Sequence, residues 1–170
     1  MHWYWIDRFT KFVSGKSAQT IKMVSRAEDH LADHFPFYPI MPASLMIEGL
    51  AQTGGLLIHE FRNFSAKVVL AKIQKITFYE EEVVPGDCLL YDAVADYIND
   101  EGSMISVSVQ RNGKLIAEGV LVFAHLGDEY ASQDLFSENE LIDLVRAYGL
   151  FEVGVHPDGS RIIDPVLKNK

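Results

Sequence analysis

The pattern of apolar and polar positions divides the chain into one long helix and a series of strands. From Ala43 to about Phe61, apolar residues fall on all sides of a helical wheel, which predicts a buried helix. Pro42 precedes this segment, and the first turn of a helix tolerates proline because its N–H groups have no partner within the helix. Glycines cost roughly 1 kcal/mol each in a helix, so Gly49, Gly54 and Gly55 indicate a close approach of other backbone or of a ligand.

Outside this helix, alternation of apolar and polar residues predicts β-strands. The Asn112-Gly113 pair favours a two-residue hairpin turn. Residues 28–34 are predicted to form a polar turn or short helix, which Pro36 ends. The predicted strands are 17–27, 66–80, 88–98, 103–110 and 114–126. One helix followed by an antiparallel meander predicts an α+β fold, in which a curved antiparallel sheet wraps around a central buried helix.

The composition changes near residue 127, so we divide the chain into a domain of residues 1–127 and a C-terminal extension of residues 128–170. The extension begins with a polar linker at 127–134. Ser137 and Glu140 then form a capping box, which predicts a short amphipathic helix closed by Gly149.

Composition and charge exclude several classes of protein. The 170 residues carry a formal net charge of −9, which argues against general binding to nucleic acid or anionic lipid. Cys88 is the single cysteine, so no internal disulfide forms, as suits the cytoplasm. The N-terminus lacks the features of a signal peptide. The apolar stretch 34–58 contains Glu48, Gln52 and several prolines, so we expect no membrane span.

Glu48 is the most informative residue of the predicted helix. Burying an ionised carboxylate is costly, and burial raises the pKa of a carboxyl group. Glu48 is therefore either a partnered structural group or an acid that delivers a proton. Gln52 shares its helix face four residues later and can hold it by a hydrogen bond. His34 precedes a proline-rich loop that returns to a helix N-terminus, where N–H groups favour negative charge. A base, an oxyanion site and an acid suit proton removal α to a carbonyl with loss of a β-hydroxyl.

The other histidines are weaker candidates. His30 and His34 are four residues apart, but Pro36 argues against a helix that presents both to a metal. His59-Glu60 lacks the second histidine of a zinc-protease helix. The remaining histidines are interpreted as structural or solvated: His2, His125 and His156.

Several of these motifs resemble those of the hot-dog-fold β-hydroxyacyl-[acyl-carrier-protein] dehydratases, the FabZ/FabA-like family. The resemblance is carried by His34-Phe35-Pro36, Pro39-Ile40-Met41-Pro42 and Glu48 with Ala51-Gln52, and it spans roughly residues 5 to 125. "IDRF", "SGKSA", "VVPGD" and the Asn-Gly hairpin follow the order of the family.

The resemblance implies a mechanism without a metal or organic cofactor. His34 of one protomer would take the α-proton of a 3-hydroxyacyl thioester, and Glu48 of the other would protonate the departing hydroxyl. The N–H of Ala43 would polarise the thioester carbonyl, and Gln52 would orient Glu48. The assembly would be a homodimer or a trimer of dimers. The implied candidates for the substrate tunnel are Phe37, Tyr38, Met41 and Ser44.

The chain departs from the family pattern at two positions. Phe37 replaces a glycine, which is expected to constrain the backbone and to narrow the mouth of the site. Ala43 replaces the glycine at the helix start but keeps its N–H. A glutamate at position 48, rather than an aspartate, favours simple dehydration over the branch that also isomerises the double bond.

The expected partner is an acyl carrier protein or a CoA-linked acyl thioester. A carrier protein is acidic, so its docking patch on this chain would be basic. The candidates are Arg62, Lys67, Lys72 and Lys75. The same four residues are equally consistent with a solvated strand face that binds no partner. Two alternatives to the dehydratase stay open. One is an acyl-thioester hydrolase in which Glu48 activates water, and the other is an acyl-binding module without turnover, which Phe37 would favour.

Overall fold

A computed structural model describes residues 4–80, 82–126 and 137–166. In these ranges the chain forms seven strands and four helices. The strands are β1 (Arg8–Val13), β2 (Ser17–Met23), β3 (Lys67–Phe78), β4 (Cys88–Ile98), β5 (Gly102–Arg111), β6 (Lys114–Leu126) and β7 (Gly154–Val155). The helices are α1 (Asp29–Asp33), α2 (Ala43–Phe61), α3 (Glu138–Ala147) and α4 (Leu150–Val153).

The strands form one sheet in the order β3-β6-β5-β4-β2-β1-β7. All neighbouring pairs are antiparallel except β1 and β7, which run parallel. In the chain, α2 lies between β2 and β3, and β3 forms one edge of the sheet. The helix therefore crosses the sheet and packs against β2, β3, β4 and β5. This is the hot-dog arrangement, and the predicted α+β fold is confirmed.

Helix α2 has the predicted bounds, but one of its sides is less buried than the sequence suggests. Its sheet-facing residues are buried, including Met46, Leu50 and Leu57. Glu48 and Gln52 are only partly buried, and they lie on a side that faces away from the core. Among the described residues, no helix is both long and apolar enough to span a membrane.

The β5–β6 hairpin has the predicted turn. Asn112 and Gly113 have φ angles of 53° and 77°, as a two-residue turn of the mirror-image type requires. Arg111 pairs with Lys114 directly across the turn. The hairpin is thus closed by the residues that the sequence indicates.

The sequence prediction missed β1. A bulge between Phe9 and Lys11 shifts the pairing register with β2, and it places Phe9 and Phe12, three residues apart, in the core. Because strands are recognised by a period of two, a strand with this spacing lacks the signal. The prediction for β2 was also too long at its end, because the strand stops at Met23 rather than at residue 27.

The described part of the C-terminal extension packs on the domain. The predicted capping box is present, with the Glu140 N–H donating to the Ser137 hydroxyl and the Ser137 N–H donating to the Glu140 carboxylate. Gly149 follows α3 with a φ of 72°. The predicted linker at 127–134 lies outside the described residues. Helix α3 buries Leu141, Ile142 and Val145 in the same core as α2.

Candidate functional site

An open cavity lies beside α2. Its volume is about 420 Å³, which falls in the range of roughly 300–1,000 Å³ that is usual for small-molecule sites. Five parts of the chain line it: the outward side of α2, the first residues of β3, α3 with the adjacent Tyr148, Phe123 on β6, and Tyr4 near the N-terminus. The cavity is therefore bounded by both the domain and the extension.

Glu48 lines this cavity and is held there by Gln52. The Gln52 side-chain N–H donates to Glu48 Oε1 at 2.9 Å, and the Gln52 carbonyl oxygen accepts the backbone N–H of Trp5 at 3.0 Å. An amide that is bound at both ends has a fixed orientation, since its oxygen and nitrogen are not interchangeable. The expected contact between Gln52 and Glu48 is thus present, and Trp5 is a partner that the sequence did not indicate.

The cavity follows one stripe of α2. Glu48, Gln52, Gly55 and His59 all line it, and spacings of three and four residues place side chains on one face of a helix. From Glu48 to His59 the stripe extends about 16 Å at 1.5 Å per residue. An apolar wall of β3, formed by Val68, Val69 and Leu70, runs alongside. A ligand with an extended chain suits a slot of this shape.

His59 is buried at the far end of the stripe. Burial lowers the pKa of His59 to about 4, nearby His125 adds to the effect, and a hydrogen bond with the backbone of Ala66 opposes it. The imidazole is therefore neutral at neutral pH. The sequence pointed to His59 only as a possible metal ligand, whereas the structure places it in the wall of the cavity.

His34 lies in a tightly closed loop. The Ile40 N–H donates to the His34 carbonyl at 2.8 Å, and His34 Nδ1 lies 3.1 Å from the Ile40 carbonyl oxygen. A carbonyl oxygen only accepts hydrogen bonds, so Nδ1 carries the proton in a neutral ring and Nε2 keeps its lone pair. The loop thus presents a half-buried imidazole whose free basic nitrogen is Nε2.

The cavity that holds Glu48 is not lined by His34 in the described part of a single chain. The loop of His34 carries exposed aromatic side chains instead, with Phe35 stacked on the imidazole at a centroid distance of 4.3 Å. Phe35 and Tyr38 are 54% exposed and Phe37 is fully exposed. Exposed apolar clusters of this kind are typical of surfaces that contact other molecules.

Neither departure from the family pattern places a non-glycine residue at a positive φ angle. In the described residues, the non-glycine residues with positive φ are Asn63, Phe64 and Asn112. Phe37 is not among them, so its backbone does not need the left-handed conformation that glycine adopts easily. Ala43 is the first residue of α2, where N–H groups lack a partner within the helix.

The four tunnel candidates lie away from the Glu48 cavity of the same chain. Phe37 and Tyr38 are on the exposed loop, and the Tyr38 hydroxyl donates to Glu82 at 3.0 Å. Met41 is fully buried in the core. Ser44 lines a different depression, between the start of α2 and residues near α1.

The four basic residues proposed to dock a carrier protein differ in their surroundings. Arg62 is 2.7 Å from Asp100 in an ion pair. Lys72 and Lys75 are exposed on β3, the edge strand of the sheet, and Lys67 is half-buried at its start.

Comparisons with known proteins agree with this fold. A family model described as the FabA-like domain matches residues 2–123. The chain therefore belongs to the FabA-like family of hot-dog dehydratases.

Particular relatives narrow the comparison. The 3-hydroxyacyl-[acyl-carrier-protein] dehydratase FabZ of Streptococcus pyogenes serotype M3 is 38% identical over 122 residues, which cover 70% of this chain and 85% of that protein. FabZ of Listeria monocytogenes serotype 4b is 34% identical over 120 residues, with coverage of 70% and 83%. Among solved structures, the dehydratase heterocomplex ApeI:P from Xenorhabdus doucetiae superimposes with a TM-score of 0.63 at 15% identity and covers 79% of this chain and 90% of its own. That last likeness concerns the fold alone.

Proposed function

We propose that the chain dehydrates 3-hydroxyacyl thioesters to trans-2-enoyl thioesters in fatty-acid biosynthesis. The observation that carries the proposal is Glu48, which Gln52 orients towards a cavity with an apolar wall on β3. A carboxyl group fixed at the mouth of an apolar slot suits acid–base chemistry on an acyl chain. The FabZ relatives, named for this reaction, support the same conclusion.

The proposed step is an elimination without a cofactor. His34 Nε2 takes the proton from the α-carbon, and the electron pair of that C–H bond forms the double bond between the α- and β-carbons. The β-carbon–oxygen bond breaks as Glu48 gives its proton to the oxygen, which leaves as water. The N–H of Ala43, at the N-terminus of α2, stabilises the negative charge that develops on the thioester oxygen.

The proposal requires two protomers. His34 lies outside the Glu48 cavity of its own chain, so we assign the imidazole of one protomer to the carboxyl group of the other. The edge strand β3 exposes a run of residues that includes Leu70 and Ile73, and an exposed edge of this kind pairs readily with a second strand. This edge is our proposed contact in a homodimer, or in a trimer of dimers.

An acyl carrier protein or coenzyme A delivers the substrate in this proposal. Lys72 and Lys75 are exposed in the single chain and lie in the run of β3 that we propose as the dimer edge. In this proposal they dock the carrier protein through their side-chain amines, which stay outside the backbone pairing of that edge. Arg62 contributes less, since it already pairs with Asp100. The lone Cys88 supports a cytoplasmic location, where thiols stay reduced.

The test is a kinetic comparison on 3-hydroxybutyryl thioesters of the carrier protein and of coenzyme A, followed by the absorbance of the enoyl product. His34→Ala and Glu48→Gln are each expected to lower kcat by about 10²–10⁴, the usual contribution of general acid–base catalysis. His156 provides the control. It is exposed and does not line the Glu48 cavity, so His156→Ala removes an imidazole without changing the site.

Three outcomes would contradict the proposal. Full turnover in His34→Ala would remove its base. Release of free thiol from saturated acyl thioesters, without enoyl absorbance, would identify a hydrolase instead, and tight binding with neither signal would identify an acyl-binding module.

A further inference from the structure

The C-terminal extension supplies one wall of the Glu48 cavity. Leu141 and Leu144 of α3 line it, together with Tyr148 just after the helix. These side chains face the same space as Glu48 on α2 and Leu70 on β3. The slot is thus closed on one side by residues that follow the domain in the chain.

This wall is firmly attached. The guanidinium group of Arg146 binds both carboxylate oxygens of Asp164, at 2.5 and 2.9 Å. The Phe9 N–H on β1 donates to the Tyr148 carbonyl at 2.9 Å, and β7 pairs with β1. Buried Ile142 and Val145 anchor the other side of α3 in the core. A wall with so many contacts keeps its position when a ligand enters.

The wall lies outside the part of the chain that the family shares. The match to the FabA-like domain ends at residue 123, and the FabZ relatives align over 70% of the chain. Leu144 therefore has no counterpart in the matched region, although it contacts the same cavity as Glu48.

We propose that α3 of the extension determines which acyl chains the enzyme accepts, with Leu144 as a specificity residue. The acyl chain lies along the stripe of α2 from Glu48 towards His59, between β3 and α3. The inference rests on the proposed function. Its substrates are 3-hydroxyacyl thioesters, and the space between α2 and α3 limits the length of their acyl chains. Substitution at Leu144 alters the room for the chain and leaves Glu48, Gln52 and His34 in place.

The test compares kcat/KM for 3-hydroxybutyryl, 3-hydroxyoctanoyl, 3-hydroxydodecanoyl and 3-hydroxyhexadecanoyl thioesters. Leu144→Ala is expected to shift the preference towards longer chains by about tenfold, the lower end of what a methylene-sized change achieves in an apolar pocket. Leu144→Phe is expected to shift it towards shorter chains by a similar factor. The readout is the ratio of long-chain to short-chain kcat/KM within each variant, so a general change of activity at Leu144 does not alter the result.

Ile142 provides a matched control on the same helix. It is buried and has the same number of carbons as Leu144, but it does not line the cavity. Ile142→Ala is expected to lower the stability of the fold and to leave the ratio of long-chain to short-chain turnover unchanged.

Binding separates this inference from the proposed function. Calorimetry with non-reactive thioether analogues of the same four chain lengths measures how tightly each chain binds in the slot, without any turnover. Opposite shifts of length preference in Leu144→Ala and Leu144→Phe support the inference, even for a protein without dehydratase activity. An unchanged preference in both variants, or the same shift in Ile142→Ala, overturns it and leaves the dehydratase proposal standing wherever wild-type turnover is observed.

Discussion

Gln52 orients the Glu48 carboxylate, because the Gln52 side-chain amide is itself held by hydrogen bonds at both its nitrogen and its oxygen. It donates to Glu48 and accepts from the Trp5 N–H, so neither group can rotate alone. The spacing of four residues on a helix predicted the first contact. The second contact joins residues 47 positions apart, which no local pattern in the sequence reveals.

His59 makes stability depend on pH. Its pKa is about 4 in the folded protein, against an ordinary value of 6.5. Between these values the unfolded chain binds more protons than the folded one, so the free energy of unfolding falls as the pH falls. The stabilisation is complete above about pH 6.5 and is lost on the way to pH 4.

We therefore predict a smaller pH dependence in His59→Gln, which keeps a side-chain N–H but does not titrate. From pH 7 to 4.5, wild type should lose roughly 2–3 kcal/mol more than this variant, at 1.36 kcal/mol per pKa unit. Urea unfolding at the two pH values measures the difference. Equal losses in both proteins would show that His59 is not buried in its neutral form.

At the scale of elements, the glycines of α2 differ in what surrounds them. A Cβ on Gly49 would lie 2.7 Å from the Tyr91 ring, which is fully buried on β4. A Cβ on Gly54 would lie 3.4 Å or more from its neighbours, an ordinary contact. The sequence predicted a close approach of backbone or of a ligand at Gly49, Gly54 and Gly55. The structure differs, because the close neighbour is a side chain of the sheet and it lies at Gly49, while the contacts at Gly54 and Gly55 are ordinary.

We predict opposite effects of alanine at these two positions. Gly49→Ala should destabilise the protein by about 1–3 kcal/mol, the usual cost of overpacking a core. Gly54→Ala should be neutral or stabilising by up to about 1 kcal/mol, because alanine is the better helix former. Thermal or urea unfolding of the pair checks this, and a stable Gly49→Ala would mean that the helix sits farther from β4.

The sequence predicted those elements whose own residues carry a regular period. Helix α2, the β5–β6 hairpin and the capping box of α3 all depend on local spacing, and each is present. Strand β1 was missed because its bulge breaks the alternation. The two-residue strand β7 depends on its neighbour β1 rather than on its own composition.

At the scale of the whole molecule, the site combines segments that are distant in the sequence. His34 and Glu48 were proposed as site residues from residue type and spacing, together with the resemblance to a family. The walls of the cavity were not, because Leu70 and Leu144 reach it only through the path of the sheet and the return of the extension. Packing between distant segments leaves no periodic signal in either one.

The proposed elimination requires His34 of one protomer to act with Glu48 of its partner. The most direct measurement is the activity of a mixed dimer that carries His34→Ala in one subunit and Glu48→Gln in the other, purified through a different tag on each. In a two-fold dimer one of the two sites then contains both wild-type residues. We expect about half of the wild-type activity from two subunits that are inactive as homodimers. A folded mixed dimer without activity would rule out catalysis by His34 and Glu48 of different protomers.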